Sequence, residues 1–377
     1  MSKNIYVTQT SLPEFDEYIS KISRIWDNHI LTNGGPIYNE FVDKLKKYLS
    51  ADKMELYVNG HMALDIAIKA LNLKGEVITT PFTFVSTTHA LTMNGIEPVF
   101  CDIKSTDYNI DESKVEELIT EKTTAILAVH VYGQPCNVKE LQRIADRHNL
   151  ALIFDAAHAF GVKVNGIPIS NYGDVSMFSF HATKVFSTIE GGALIYKDDQ
   201  LTNKLQKLKN FGIDGPETVL MQGFNAKMNE FAAAMGTCNL DRLDDNIQSR
   251  KEVAYRYIKN LQELAGIKLL DYELNKKLRV QDNFAYFPII IKEEQTLVSR
   301  DEIFEALQKE NIFSRKYFYP LVTDTECYKD LYSKYELKVA KKIAKQVLAL
   351  PIFSGLELGV VDKVCEIIKK AIEERKL

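Results

Sequence analysis

No apolar run in this 377-residue chain approaches the length of a membrane span, so no transmembrane helix is expected. Residues 1–32 lack a long apolar core and carry several charges, which argues against a secretory signal. Cysteine is sparse. The five residues (Cys101, Cys136, Cys238, Cys327, Cys365) are scattered, odd in number and without Cys-x-x-Cys spacing, which excludes a disulfide framework and points to a reducing compartment. The seven histidines show no His-x-x-x-His spacing, and no metal site is expected. An excess of basic charge is also missing. Forty-seven lysines and arginines face 51 acids, a formal charge of -4, so neither nucleic acid nor an anionic membrane is an expected partner. Gly-x-Gly-x-x-Gly, Gly-Lys-Ser/Thr and Gly-x-Ser-x-Gly are all absent, which leaves a dinucleotide fold, a phosphate loop and a hydrolase elbow unsupported. There is no internal repeat and no low-complexity segment. These absences describe a cytoplasmic, ordinary globular chain long enough for two domains.

What is present is an α/β pattern. From about residue 55 to 200, short apolar runs alternate with helical periodicity. The expected strands are 76–80, 98–103, 125–132, 150–155, 175–180 and 192–196, with a buried helix over 62–71 and a capped one from 137. Beyond Met235 the texture changes to a polar helix over 241–264, a strand over 285–291, and helices over 301–309, 339–348 and 360–375. The chain is therefore divided into a large domain, 1–240, and a smaller C-terminal domain, 241–377.

Two segments carry chemistry. In Met177-Phe178-Ser179-Phe180-His181-Ala182-Thr183-Lys184, a β-type run ends in a polar turn with one lysine, and Glu190-Gly191-Gly192 then opens another apolar strand. A lysine beside a buried strand end is costly unless its amine is used, because desolvation disfavours the ammonium form. Upstream, Ala151-Leu152-Ile153-Phe154-Asp155 places a carboxylate at the end of a second apolar run. Ligands of α/β folds collect at the carboxyl ends of parallel strands, so Asp155 and Lys184 are expected to share one crevice. Pyridoxal phosphate requires such a pair: a lysine for its aldehyde and an acid that keeps the pyridine nitrogen protonated. Taken singly, Asp155 reads as a cap or turn residue and Lys184 as a solvated turn lysine; the pairing favours a site. Asn59-Gly60-His61 leads into a helix whose first N–H groups can take a phosphate. Phe84 can lie over a planar ring or pack in the core, and the Ser179 hydroxyl can serve phosphate or backbone.

These segments, with Asp155-Ala156-Ala157-His158 and Gly223-Phe224-Asn225-Ala226-Lys227-Met228-Asn229-Glu230, resemble the DegT family of sugar-nucleotide aminotransferases, a branch of the fold-type I pyridoxal-phosphate enzymes. The resemblance runs from Leu31-Thr32-Asn33-Gly34-Gly35-Pro36 to Leu350-Pro351. It implies a large, mixed, mostly parallel sheet domain followed by a smaller α+β domain. It implies that Lys184 holds the cofactor covalently and later shuttles a proton, and that Asp155 pairs with the pyridinium. His158 stands where many members have glutamine and would bond the ring hydroxyl. Phe84 would stack on the ring, and Gly60, His61 and Ser179 would hold the phosphate. Asn59-Gly60-His61 replaces the family's frequent Ser-Gly-Thr. Asn225 would reach the phosphate of a neighbouring subunit, making the active homodimer share its sites. Lys227, where arginine is common, and His181 are implied on the substrate side. Asn33 and Tyr317 lie in segments that resemble substrate loops, with turn or packing roles open for both.

The resemblance further implies transfer of an amino group from glutamate to a dTDP-linked 4-keto-6-deoxy sugar. The product would be a 4-amino-4,6-dideoxy sugar nucleotide for surface glycans such as the lipopolysaccharide O-antigen. The Ser-Phe-His-Ala-Thr-Lys block followed by Glu-Gly-Gly looks more like enzymes acting at C4 than at C3. A rival reading is the same chemistry at C3. Two others are a dehydratase on the same fold, which would replace the lysine, and a non-catalytic regulator.

Overall fold

The computed structural model describes residues 4–376. Its central sheet has seven strands: β1 (Met54–Tyr57), β2 (Glu76–Thr79), β3 (Glu97–Phe100), β4 (Thr123–Val129), β5 (Ala151–Asp155), β6 (Val175–Ser179) and β7 (Gly192–Tyr196). The spatial order is β1-β7-β6-β5-β4-β2-β3. Strand β7 is antiparallel to both neighbours, and every other pairing is parallel. Continuous apolar runs form such a sheet because both faces are covered. Side chains alternate across it. Leu152 and Phe154 join one buried cluster with Phe41 and Phe178, whereas Ile153 joins another with Leu64 and Leu194. Helices Gly60–Ala70, Val85–Thr92 and Val138–His148 are among the crossovers.

The reversed direction of β7 has a consequence for function. Its first residue, Gly192, pairs with Ser179 at the end of β6 and with Tyr57 at the end of β1. Three chain segments thus converge at the carboxyl edge of the sheet. A Cβ on Gly192 would lie 2.6 Å from the Asn59 carbonyl and 2.7 Å from the Gly60 nitrogen, so only glycine permits this approach.

A second, antiparallel sheet has the order β8 (Ile267–Leu269), β9 (Phe287–Ile291), β10 (Val347–Leu350). It shares a separate buried cluster with Val253, Tyr257, Ile303 and Val364, contributed by helices Leu243–Leu261, Arg300–Lys309 and Leu358–Lys376. The short strand Ile5–Tyr6 pairs in parallel with Ile312–Phe313, tying the N-terminal segment to the C-terminal half of the chain. Among the described residues, no helix is long and apolar enough to cross a membrane.

Several elements depart from the sequence reading. Strand β1 was not expected, because a glutamate interrupts Met54-Glu55-Leu56-Tyr57. Glu55 is nonetheless buried and satisfied by Lys209 and Gln206. The polar helix over 241–264 begins earlier, as Glu230–Asp241, and breaks at Arg242 (φ -108°, ψ 1°) before Leu243–Leu261. The helix expected over 339–348 ends at Gln346, and its last apolar residues belong to β10. The strand expected to reach Tyr132 stops at Val129, and Tyr132 adopts φ 59° in a tight turn.

Candidate active site

A cavity of about 450 Å³ opens at the carboxyl edge of the large sheet. Its floor is Asp155, at the end of β5. Thr87 donates to Asp155 Oδ2 at 2.8 Å and the Ala157 N–H to Oδ1 at 3.1 Å. Thr87, its proton committed to the carboxylate, also meets the Thr83 hydroxyl at 3.0 Å. Burial raises the pKa of Asp155 above the ordinary carboxylate value, opposed by these hydrogen bonds and by the positive charge of Lys184. A buried acid with donors but no hydrogen-bonded cation is suited to receive a cationic ligand group.

Lys184 lines the same cavity, in the turn between β6 and β7. Its backbone N–H bonds to the His181 carbonyl at 2.9 Å, which fixes the turn. Burial lowers the pKa of its amine, partly offset by Asp155 and Tyr317. A larger share of neutral, nucleophilic amine at neutral pH follows. The two residues singled out from sequence therefore meet, with pKa shifts in opposite directions.

His158 is buried beside them. Its Nδ1 accepts the Tyr132 N–H at 3.3 Å, so the ring proton sits on Nε2 and is free to be donated. Burial, then the charge of Lys184, holds this histidine well below its usual pKa. The imidazole packs edge-on to Tyr286 at 4.9 Å and parallel to Phe318 at 6.0 Å. Tyr132 also donates through its hydroxyl to the Tyr317 carbonyl. The strained φ at Tyr132 thus serves two walls at once.

On the opposite side, Asn59 caps helix Gly60–Ala70 by accepting the Met62 N–H at 2.8 Å. Gly60 packs on β6, where an added Cβ would lie 2.8 Å from Ser179 Cβ. His61 bonds Ser86 at 2.9 Å through Nδ1. Phe84, 58% exposed, lines the cavity from the start of helix Val85–Thr92. His181 stands at the rim with Glu190, Nε2 to Oε1 3.5 Å. The Gly60 cradle, the buried acid, the neutral histidine donor and the lysine fit the phosphate, ring nitrogen, ring hydroxyl and aldehyde of pyridoxal phosphate.

The remaining expected residues divide. Tyr317 joins this cavity. Asn33 and Lys227 line a different one of about 490 Å³, where Lys227 donates to Asn210 at 2.6 Å and to Asn225 at 3.1 Å. Asn225 is exposed and lines neither cavity. Sequence reasoning missed Thr83, Thr87, Tyr286, Arg315 and Phe318. The four-residue spacing of Thr83 and Thr87 was a usable signal, since it puts two hydroxyls on one side of a helix start. The three C-terminal residues had no comparable signal.

Residues 14–369 match the model of the DegT/DnrJ/EryC1/StrS aminotransferase family. The chain belongs to this family. It is 40% identical over 370 residues to dTDP-4-amino-4,6-dideoxy-D-glucose transaminase of Shigella dysenteriae, covering 98% of this chain and 100% of that one. The Escherichia coli protein of the same name is 41% identical over 371 residues, covering 97% and 98%. Among solved structures, DesI in the presence of its TDP-sugar product superposes with a TM-score of 0.93 at 32% identity, covering 100% of this chain and 95% of DesI. The DegT/DnrJ/EryC1/StrS fold thus extends over both sheets described above, and the chain is an enzyme of the aminotransferase class.

Proposed function

We propose that this chain is a pyridoxal-phosphate-dependent transaminase. It moves an amino group from glutamate to a dTDP-linked 4-keto-6-deoxy sugar and yields a 4-amino-4,6-dideoxy sugar nucleotide for surface glycans. The observation that carries the reading is the convergence of Lys184 and Asp155 in one cavity, with a neutral His158 beside them. The named activity of the Shigella and Escherichia coli relatives, and the TDP-sugar product named for DesI, support a nucleotide-linked sugar as the acceptor.

When bound, the cofactor supplies an electrophilic aldehyde and a protonated ring that accepts electron density. Asp155 Oδ atoms hold the proton on the ring nitrogen, while Thr87 and Thr83 keep that carboxylate aimed. His158 donates from Nε2 to the ring hydroxyl, and the Gly60 and His61 backbone with Ser179 holds phosphate. Phe84, which lines the cavity, would cover the cofactor ring. Lys184 would hold the cofactor through its amine and, as a base, would move a proton between the carbons that gain and lose nitrogen. Asn225, outside its own chain's cavity, is assigned to the partner's phosphate in a homodimer. Exposed apolar side chains in the same loop (Val219, Leu220) and on the helix Phe15–Asn28 (Phe15, Trp26) offer surface for such a contact. We keep the division of the chain near residue 240, with the cofactor carried mainly by residues 1–240.

The test is to incubate the pyridoxal-phosphate-loaded protein with glutamate and dTDP-4-keto-6-deoxyglucose and assign the product by NMR. Nitrogen at C4 is expected. Nitrogen at C3, from a 3-keto acceptor only, would overturn the position of transfer but not its chemistry.

A further inference from the structure

Arg315 is the one guanidinium in the Lys184 cavity, and among the described residues no carboxylate pairs with it. Its basic neighbours are already matched. Arg300 and Lys316 share Asp301, each at 2.5 Å, and Arg300 also donates to the carbonyls of Ala344 and Val347. The backbone of Arg315 is held in both directions by β10: its N–H donates to the Ala349 carbonyl at 3.1 Å, and the Ala349 N–H returns a bond of 2.8 Å. A charged fork is therefore mounted on a rigid strand edge and left without an acid. Tyr317 lines the same cavity and interacts with both Arg315 and the lysine. The Arg315 guanidinium sits 5.8 Å from the Tyr317 ring centroid and hydrogen-bonds the Tyr317 side chain, a neutral partner that leaves its charge without an acid.

The position excludes the cofactor phosphate as the intended partner. That cradle is built by Gly60, His61 and Ser179, whereas Arg315 belongs with Tyr317 and Phe318, which pack on the His158 side. A guanidinium recognises a carboxylate through two parallel N–H donors, a geometry that a lysine does not reproduce. We propose that Arg315 binds a carboxylate of the amino donor and so selects an amino acid over amines that lack one. This assignment rests on the transaminase reading of the cavity and adds to it the residue that sets donor class.

The two half-reactions separate the outcomes. Conversion of the bound cofactor to its pyridoxamine form by glutamate can be followed by absorbance without any sugar. The same conversion by the 4-amino sugar nucleotide, in the reverse direction, involves an amine with no carboxylate. Arg315→Gln should lower the second-order rate constant with glutamate by about 100-fold, the scale expected for removing one partner of a charge pair. The rate constant with the amino sugar nucleotide should change less than about 3-fold, and Arg315→Lys should recover part of the glutamate reaction. Arg315 is exposed, so the fold should survive, and unchanged cofactor absorbance with an unchanged melting temperature checks this. Equal losses in both half-reactions, a loss confined to the sugar nucleotide, or no loss at all would overturn the assignment while leaving the transaminase standing. Failure of the wild-type protein to react with any amino acid would overturn the transaminase reading and the assignment together.

Discussion

At the scale of single residues, the cavity is organised by opposed protonation preferences. Burial favours the neutral form of both Asp155 and Lys184, and each charge partly rescues the other. Lys184→Ala should lower turnover by about 10³-fold or more and abolish the visible absorption of lysine-bound cofactor, with the fold intact. Persistence of that absorption together with activity would move the attachment to another lysine. Asp155→Asn should retain cofactor but lose about 10²-fold or more in rate, since an amide cannot hold the ring nitrogen protonated. Near-normal turnover of this variant would remove Asp155 from the chemistry. Both residues were legible in the sequence because Asp155 ends a buried apolar strand and Lys184 lies in the turn after a buried, largely apolar one. Thr87 and Phe318 were not, because their roles depend on crossover packing and on a wall supplied by the C-terminal half. A third residue tests the fold alone. His130 is fully buried, stacked on Phe154 at 4.6 Å, and its Nδ1 accepts the Cys136 N–H. Burial lowers its pKa from 6.5 to about 3. The unfolded chain therefore takes up this proton first as pH falls, and the fold loses stability between those two values, by about 1.4 kcal/mol per pH unit at most. The stability difference between wild type and His130→Gln, measured by urea unfolding from pH 7 to 5, should shrink on acidification. A difference independent of pH would show that His130 does not contribute this titration.

At the scale of elements, the helix Pro36–Leu49 shows how a motif can be legible while its mechanics are not. Glu230 closes the Gly223–Glu230 block and is completely buried. Its carboxylate accepts the N–H groups of Ile37 at 2.8 Å and Tyr38 at 2.9 Å, donors of the first turn that have no partner within the helix. The Glu230 N–H in turn holds the Leu31 carbonyl at 2.9 Å. One side chain thus caps a helix from about 190 residues away and fixes the loop that carries Asn33. Gly35 must lack a side chain here, since a Cβ would sit 2.6 Å from Glu230 Cδ. Glu230→Ala should cost about 2–3 kcal/mol by denaturant unfolding, the scale of losing hydrogen bonds to a charged acceptor. Glu230→Gln, which keeps one carbonyl acceptor, should cost less. Equal stability of all three proteins would mean that solvent replaces the carboxylate. The failures of the sequence reading have the same origin. Strand β1 depends on a partner distant in the chain, since Lys209 neutralises Glu55 in the strand, and Arg242, at the break, is likewise paired far away, with Glu17 at 2.7 Å. The strands β5, β6 and β7 were legible to within one residue because their burial is two-sided and their composition largely apolar.

At the scale of the whole molecule, the expected site residues fall into two groups that one chain does not bring together. Gly60, His61, Phe84, Asp155, His158, Ser179, His181, Lys184 and Tyr317 line one cavity, whereas Asn33 and Lys227 line another and Asn225 is exposed, accepting a hydrogen bond from Lys227. Sequence order alone cannot separate these groups, since a motif does not state which subunit its side chains serve. If Asn225 completes the partner's phosphate cradle, each site in a homodimer takes its lysine from one chain and its asparagine from the other. Asn225→Ala should then weaken cofactor retention, measured by dialysis and absorbance, and Lys184→Ala should be inactive by itself. Mixing the two variants produces heterodimers in which one site carries both substitutions and the other carries neither. A randomly exchanged mixture holds about half of its dimers in that form, so about a quarter of all sites are wild type and activity should recover towards that fraction. Subunit exchange can be verified by mass or by a tag on one variant. Confirmed exchange with no recovered activity would mean that each cavity is completed within a single chain, with the exposed loop at Asn225 serving another purpose.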